Sequence, residues 1–135
     1  MDRNIFKRPE RLKSPRLIGE LINSGDTITV FPLKLFWKPG LNDQAVSARV
    51  AIAVPGRNIK NAVDRNLIKR RIREAYRLNK HNLLEFLSDK NLCLIFVLLY
   101  LPKTVCSYQQ ISEALIKILM NVPNHLENAN LREIK

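Results

Sequence analysis

The stretch Leu92–Leu101, LCLIFVLLYL, is the strongest constraint in the chain. Ten consecutive apolar residues are too few to cross a bilayer as a helix, which takes about 20. The run is short, partly β-branched and closed by Pro102, which is the pattern of a buried strand. A buried strand needs a sheet around it, and two further segments supply one. Thr27–Trp37 is β-rich, with Phe31, Leu33, Leu35 and Trp37 on one face by the period-two rule. Pro32 within it points to an edge or a bulge. Val46, Ala48, Val50, Ile52 and Val54 alternate as a second strand after the turn cluster Lys38–Asp43. A hairpin of these two is the expected pairing.

Helices are signalled by caps and spacing. Ser14-Pro15 reads as an N-cap followed by proline at the first helical position. Leu17, Ile18, Leu21 and Ile22 follow at helical spacing, and Gly25 is the expected stop, giving a helix over about 15–23. Asn61 caps a second helix, with Asp64 in its first turn, running from about 62 into the 80s. Ser107 and Gln110 resemble a capping box ahead of Ile111, Leu115, Ile118 and Leu119, so a third helix is expected to about 120. The resulting order is α-β-β-α-β-α. It predicts an α+β fold, a two-layer sandwich of a small mixed sheet and three helices. Residues 1–13 read as a basic arm, 14–120 as the single domain, and 121–135, with Pro123 and four asparagines, as a flexible C-terminal tail.

Charge speaks to partners rather than to fold. The 135 residues carry 23 Lys and Arg against 12 Asp and Glu, a net charge of +11. Residues 1–16 hold six basic and two acidic side chains, and residues 57–80 hold nine and two. The other 95 residues hold eight of each and are neutral. Two cationic blocks on a neutral scaffold form an interaction surface for phosphate, with nucleic acid the first candidate.

On a helical wheel of 62–80, Ile68, Ile72, Ala75 and Tyr76 form the core face. Arg65, Lys69 and Arg73 make one ridge beside it, and Asn66, Arg70 and Arg77 make the next. A solvated face normally pairs opposite charges at i,i+4. Here like charges recur four apart, at about 0.2–0.5 kcal/mol per pair in an isolated helix. An anionic partner explains that arrangement. Membrane binding would need the apolar face that the core requires, so no membrane partner is expected.

The residues of that helix are specific. Asn61 through Tyr76, NAVDRNLIKRRIREAY, resembles the signature of the bacterial ribonuclease P protein subunit. Arg65, Asn66, Lys69, Arg70 and Arg73 fall on its arginine-rich motif. Arg49–Val54 stands where that family has the strand before a basic turn, here with Arg57 and Lys60. Lys7, Arg8, Arg11 and Lys13 resemble its basic opening. The resemblance covers about residues 7–120. The family carries phenylalanines on the first helix where this chain has Ile18 and Ile22, and often glycine where this chain has Lys60.

The resemblance implies an α/β sandwich with a left-handed βαβ crossover, and one protein copy per catalytic RNA. The RNA-binding residues would be Arg57, Lys60, Asn61, Arg65, Asn66, Lys69, Arg70, Arg73 and Arg77. A cleft for the 5′ leader of precursor tRNA would use Arg11, Lys13, Ile18, Ile22, Phe36 and Trp37, with Phe31 a further aromatic candidate for stacking. The protein would be an accessory subunit of an endoribonuclease, with the RNA and its Mg²⁺ performing the cleavage that yields the mature tRNA 5′ end. No cofactor, metal site or catalytic residue is expected in the protein itself.

The residues agree with that expectation. The carboxylates are scattered, whereas a two-metal nuclease needs several converging. His81 and His125 stand alone and read as surface histidines. Cys93 and Cys106 form no CxxC pair, and the N-terminus shows no export signal, so a cytoplasmic protein without a disulfide is expected. The alternative is a general basic RNA- or DNA-binding module resembling a ribosomal protein or a helix-turn-helix regulator. The strand preceding the basic helix disfavours the helix-turn-helix form.

Overall fold

The computed structural model describes residues 10–40 and 47–134. Most of the expected basic arm, part of the turn cluster after Lys38, and Val46 lie outside the described residues. The first helix, α1, spans Pro15–Ser24. Ser14 Oγ accepts the Leu17 N–H at 3.3 Å, the expected N-cap. The Gly25 N–H closes the last turn on the Leu21 carbonyl at 2.8 Å. A Cβ at Gly25 would stand 2.6 Å from that oxygen and 3.2 Å from the Trp37 carbonyl, so the approach of α1 to the sheet requires glycine there.

Pro32 divides the first β segment. β1 (Asp26–Val30) and β2 (Leu33–Pro39) form an antiparallel hairpin, with Val30 opposite Leu33. The two residues between them, Phe31 and Pro32, make the turn, and their peptide bond is cis. The single strand expected over 27–37 is therefore two strands, because proline has no N–H to carry a ladder through. The hairpin expected between this segment and 46–54 does not form. β3 (Ala48–Ala53) instead runs parallel to β4 (Leu94–Tyr100), and β4 pairs antiparallel with β2. The strand order is β1-β2-β4-β3. β4 is apolar on both faces and takes an inner position, where both faces are covered.

The connection from β3 to β4 holds the basic helix. Asn61 Oδ1 accepts the Val63 N–H at 2.9 Å and opens α2 (Ala62–Asn79). The helix expected to continue into the 80s breaks at Lys80. Asn79 turns its Nδ2 back to the Ala75 carbonyl at 2.8 Å, and the Lys80 side chain is drawn inward. A separate helix, α3 (His81–Asp89), follows, so the described residues hold four helices rather than three.

The last helix also exceeds expectation. Ser107 and Gln110 form the reciprocal capping box, and α4 spans Tyr108–Ile134. Pro123 does not end it. Val122 and Leu126 extend the stripe of Ile111, Leu115, Ile118 and Leu119 and are buried in the same core. A proline inside a helix costs about 3 kcal/mol. Burying two aliphatic side chains returns about 1.5–3 kcal/mol each, which outweighs it. The helix expected to end at about 120 therefore continues, and these two residues of the segment read as a tail pack in the core.

The architecture is the expected α+β class. One sheet face, with Leu33, Leu35, Trp37, Val50, Phe96, Leu98 and Tyr100, meets α2, α3 and α4. The other face presents Phe36, Ile95 and Val97, which pack with Leu21 of α1 and with Leu12. β3 lies at one edge of the sheet, between these two layers of helix.

Candidate nucleic-acid interface

The site grows from that edge. An edge strand leaves main-chain groups open unless something covers them. Among the described residues, the segment before α1 covers a single position: the Leu12 N–H donates to the Val50 carbonyl at 2.9 Å, and Arg11 lies opposite Val50 in an isolated parallel bridge. Ser14 then turns the chain away into α1. A groove of about 340 Å³ follows the β3 edge past this point. Its floor is Val50, Ala51 and Ile52, one side is Leu12 and Ile18, and its cations are Arg11, Lys13, Lys69 and Arg73.

Two of these cations come from the segment before α1 and two from α2, and among the described residues no acidic side chain lines the groove. Four like charges around one apolar trough create a positive potential that favours a chain of phosphates. The trough is aliphatic, so it offers apolar contact to bases but no aromatic face.

A second depression lies at the start of α2. Because β3 and β4 run parallel, the segments that follow them emerge at the same end of the sheet. Arg57, Lys60, Asn61 and Asp64 from the first segment thus meet Lys103 from the second. Sequence reasoning missed Lys103, since its place here depends only on strand pairing. Tyr100 holds that loop: its hydroxyl donates to the Thr104 carbonyl and accepts the Cys106 N–H at 2.8 Å. Burial pushes the Tyr100 phenol up to about 12.

Several cations of the basic block have internal partners. Arg65 Nη1 donates to the Ile59 and Lys60 carbonyls at 2.9 and 2.8 Å, clipping the turn before α2. Arg71 Nη1 donates to the Cys106 carbonyl at 2.6 Å. Arg77 forms a two-point pair with Glu74, and this hydrogen bond holds the Glu74 carboxyl below the ordinary carboxylate range. Lys80 is buried against Glu10, with Nζ 2.6 Å from Oε2. Asn66 and Arg70 stand exposed on the outer ridge of α2 and line neither depression.

The expected cleft residues separate. Arg11, Lys13 and Ile18 line the groove; Ile22 is exposed and does not. Phe36 is buried beneath α1, with Lys34 Nζ 5.2 Å from its ring centre. Trp37 faces the opposite core and is only 3% exposed, so it is not a groove residue. Alternation sends neighbouring residues to opposite faces. Phe31 is exposed at the β1–β2 turn, across the sheet from the β3 edge.

Among the described residues, no three His, Cys, Asp or Glu side chains gather as a metal site, and no helix is long and apolar enough to cross a membrane. Cys93 and Cys106 are free thiols.

Comparison with known proteins gives one consistent result. The family model described as Ribonuclease P matches residues 6–123. The ribonuclease P protein component of Porphyromonas gingivalis is 26% identical over 127 residues, covering 94% of this chain and 93% of that protein. The component from Chlorobium phaeobacteroides is 36% identical over 83 residues, 59% of this chain and 57% of its own length. Among solved structures, the Staphylococcus aureus RNase P protein superposes with a TM-score of 0.65 at 21% identity, covering 82% of this chain and 93% of that one. The Thermotoga maritima RNase P protein gives 0.66 at 19% identity, covering 84% and 97%. These two likenesses establish the fold.

Proposed function

The chain belongs to the Ribonuclease P family, and from that premise we propose that it binds the catalytic RNA of ribonuclease P and the 5′ leader of precursor tRNA. The observation that carries this reading is the convergence of Arg11 and Lys13 with Lys69 and Arg73 on one groove at the β3 edge. A single strand laid along that edge meets cations on both sides and an aliphatic floor below. Such a site tracks a backbone and does not read base edges.

In this reading the groove holds the leader. The exposed ridge of α2, with Asn66 and Arg70, and the depression formed by Arg57, Lys60, Asn61 and Lys103 face the catalytic RNA. Arginine forks suit the phosphates of that RNA. The RNA and its Mg²⁺ perform the hydrolysis that releases the mature 5′ end, in the cytoplasm. The protein, as a single copy, contributes affinity and placement of substrate.

The test is reconstitution. The protein is combined with a bacterial ribonuclease P RNA at low Mg²⁺, and cleavage of a precursor tRNA is followed. The expected result is a rate well above that of the RNA alone, with a larger gain for a precursor carrying a leader long enough to enter the groove. RNA binding without any stimulation would instead identify a general basic RNA-binding module.

A further inference from the structure

The groove wall formed by residues 10–14 is held in an alternating way. Glu10 Oε2 lies 2.6 Å from Lys80 Nζ. Leu12 gives its N–H to Val50 at 2.9 Å and buries its side chain against the α1 face of the sheet. Ser14 caps α1. The residues between these three fixings, Arg11 and Lys13, are exposed and line the groove. Lys80, 1% exposed, lies at the junction of α2 and α3, directly after the helix that supplies Lys69 and Arg73. The Glu10–Lys80 pair thus ties the segment that carries Arg11 and Lys13 to the end of the helix that carries Lys69 and Arg73.

A buried ion pair is a poor choice for stability alone, since well-packed apolar residues often do as well or better. Its best-attested use is to specify one register among several. We propose that Glu10 and Lys80 are positioning residues for the groove: their pair sets the segment 10–14 against α2, so that Arg11 and Lys13 face Lys69 and Arg73 across the β3 edge. This rests on the groove being a single-strand site.

Glu10→Ala in the full chain tests it with two readouts. The first is the affinity of a short oligouridylate and its salt dependence. The dissociation constant should rise about three- to tenfold. The slope of log K against log salt should fall by about one, since two phosphate contacts at about 0.7 each become imperfect. A role confined to stability would leave that slope unchanged. The second readout is amide exchange. The Leu12 amide should exchange at least about tenfold faster while the β4 amides of Val97 and Leu98 keep their protection, because only the segment is released. The exchanged pair Glu10→Lys with Lys80→Glu should recover Leu12 protection.

Unchanged affinity and slope, or a Leu12 amide as slow as in the unaltered protein, would overturn the proposal. So would loss of protection throughout β4, which would make the pair a support of the whole fold. If the unaltered protein fails to bind the oligonucleotide, the functional reading falls, and the exchange readout still judges whether the Glu10–Lys80 pair holds the segment 10–14.

Discussion

Removal of the two α2 cations from the groove, by Lys69→Ala and Arg73→Ala, bears most directly on its role. Among the described residues, four cations line it. Each phosphate neutralised on a single strand contributes a slope of about 0.7 in log K against log salt, so four give about 2.8. Raising salt from about 50 to about 200 mM then weakens oligonucleotide binding by about 50-fold. Each single substitution lowers the slope to about 2.1, for about 18-fold weakening, and the double substitution to about 1.4, for about sevenfold. Fluorescence anisotropy with an oligouridylate over a salt series measures this. Lys117, exposed on α4 and absent from the groove, is the control. A slope unchanged in the double variant would refute the assignment. An equal drop in Lys117→Ala would show diffuse attraction without a located site.

Arg65→Ala leaves the Ile59 and Lys60 carbonyls without their guanidinium donor; urea denaturation should show a loss of about 1–2 kcal/mol, and the salt slope should fall less than in Lys69→Ala. Arg71→Ala and Arg70→Ala should behave oppositely: the first lowers stability by about 1–2 kcal/mol through the Cys106 carbonyl and leaves the slope for catalytic RNA unchanged, whereas the second lowers that slope by about one at constant stability. Leu126→Ala should cost about 2–3 kcal/mol, because Leu126 is only 7% exposed within α4; a loss below about 0.5 kcal/mol would mean the helix end adds nothing to the core. Burial raises the pKa of both Tyr76 and Tyr100 above the ordinary value of 10.0, that of Tyr76 with help from Glu10. The unfolded chain therefore loses these protons first, so stability holds below about pH 10 and falls between about pH 10 and 12, as denaturation across that range would show.

Local signals located elements well. Ser14-Pro15, Asn61 and the Ser107/Gln110 box each sit where a helix begins, because capping is decided within four residues. The apolar run 92–101 holds a buried strand, at 94–100, because nothing else suits ten apolar residues ended by proline. Pairing was not legible. Alternation over 48–53 says that one face is buried but is silent on the neighbour, and the natural hairpin guess placed β3 beside the wrong strand. At the break, Lys80 turns inward to meet Glu10, 70 residues earlier, a contact that no helical wheel contains. The same long-range logic defeated the aromatic candidates. Alternation correctly separates Phe36 from Trp37, but which face the groove adjoins is decided by the position of β3 in the sheet.

The charge block shows why composition overstates an interface. Nine cations between 57 and 80 suggested one continuous phosphate-binding flank. In the fold, Arg65 and Arg71 hold backbone carbonyls, Arg77 holds Glu74, and Lys80 holds Glu10. Arg65, Arg71 and Lys80 shape the site by fixing the turn before α2, the loop after β4 and the wall of the groove, in that order. Lys69 and Arg73 are the members that reach the groove, and they do so only beside Arg11 and Lys13, which the sequence places more than fifty residues away. An edge strand between two helical layers brings these segments together. One side of β3 pairs with β4, and the other is left as a trough that, among the described residues, the chain covers at a single residue, Val50. The helix supplies cations at fixed spacing, and the open sheet edge gives them a line along which a backbone can lie.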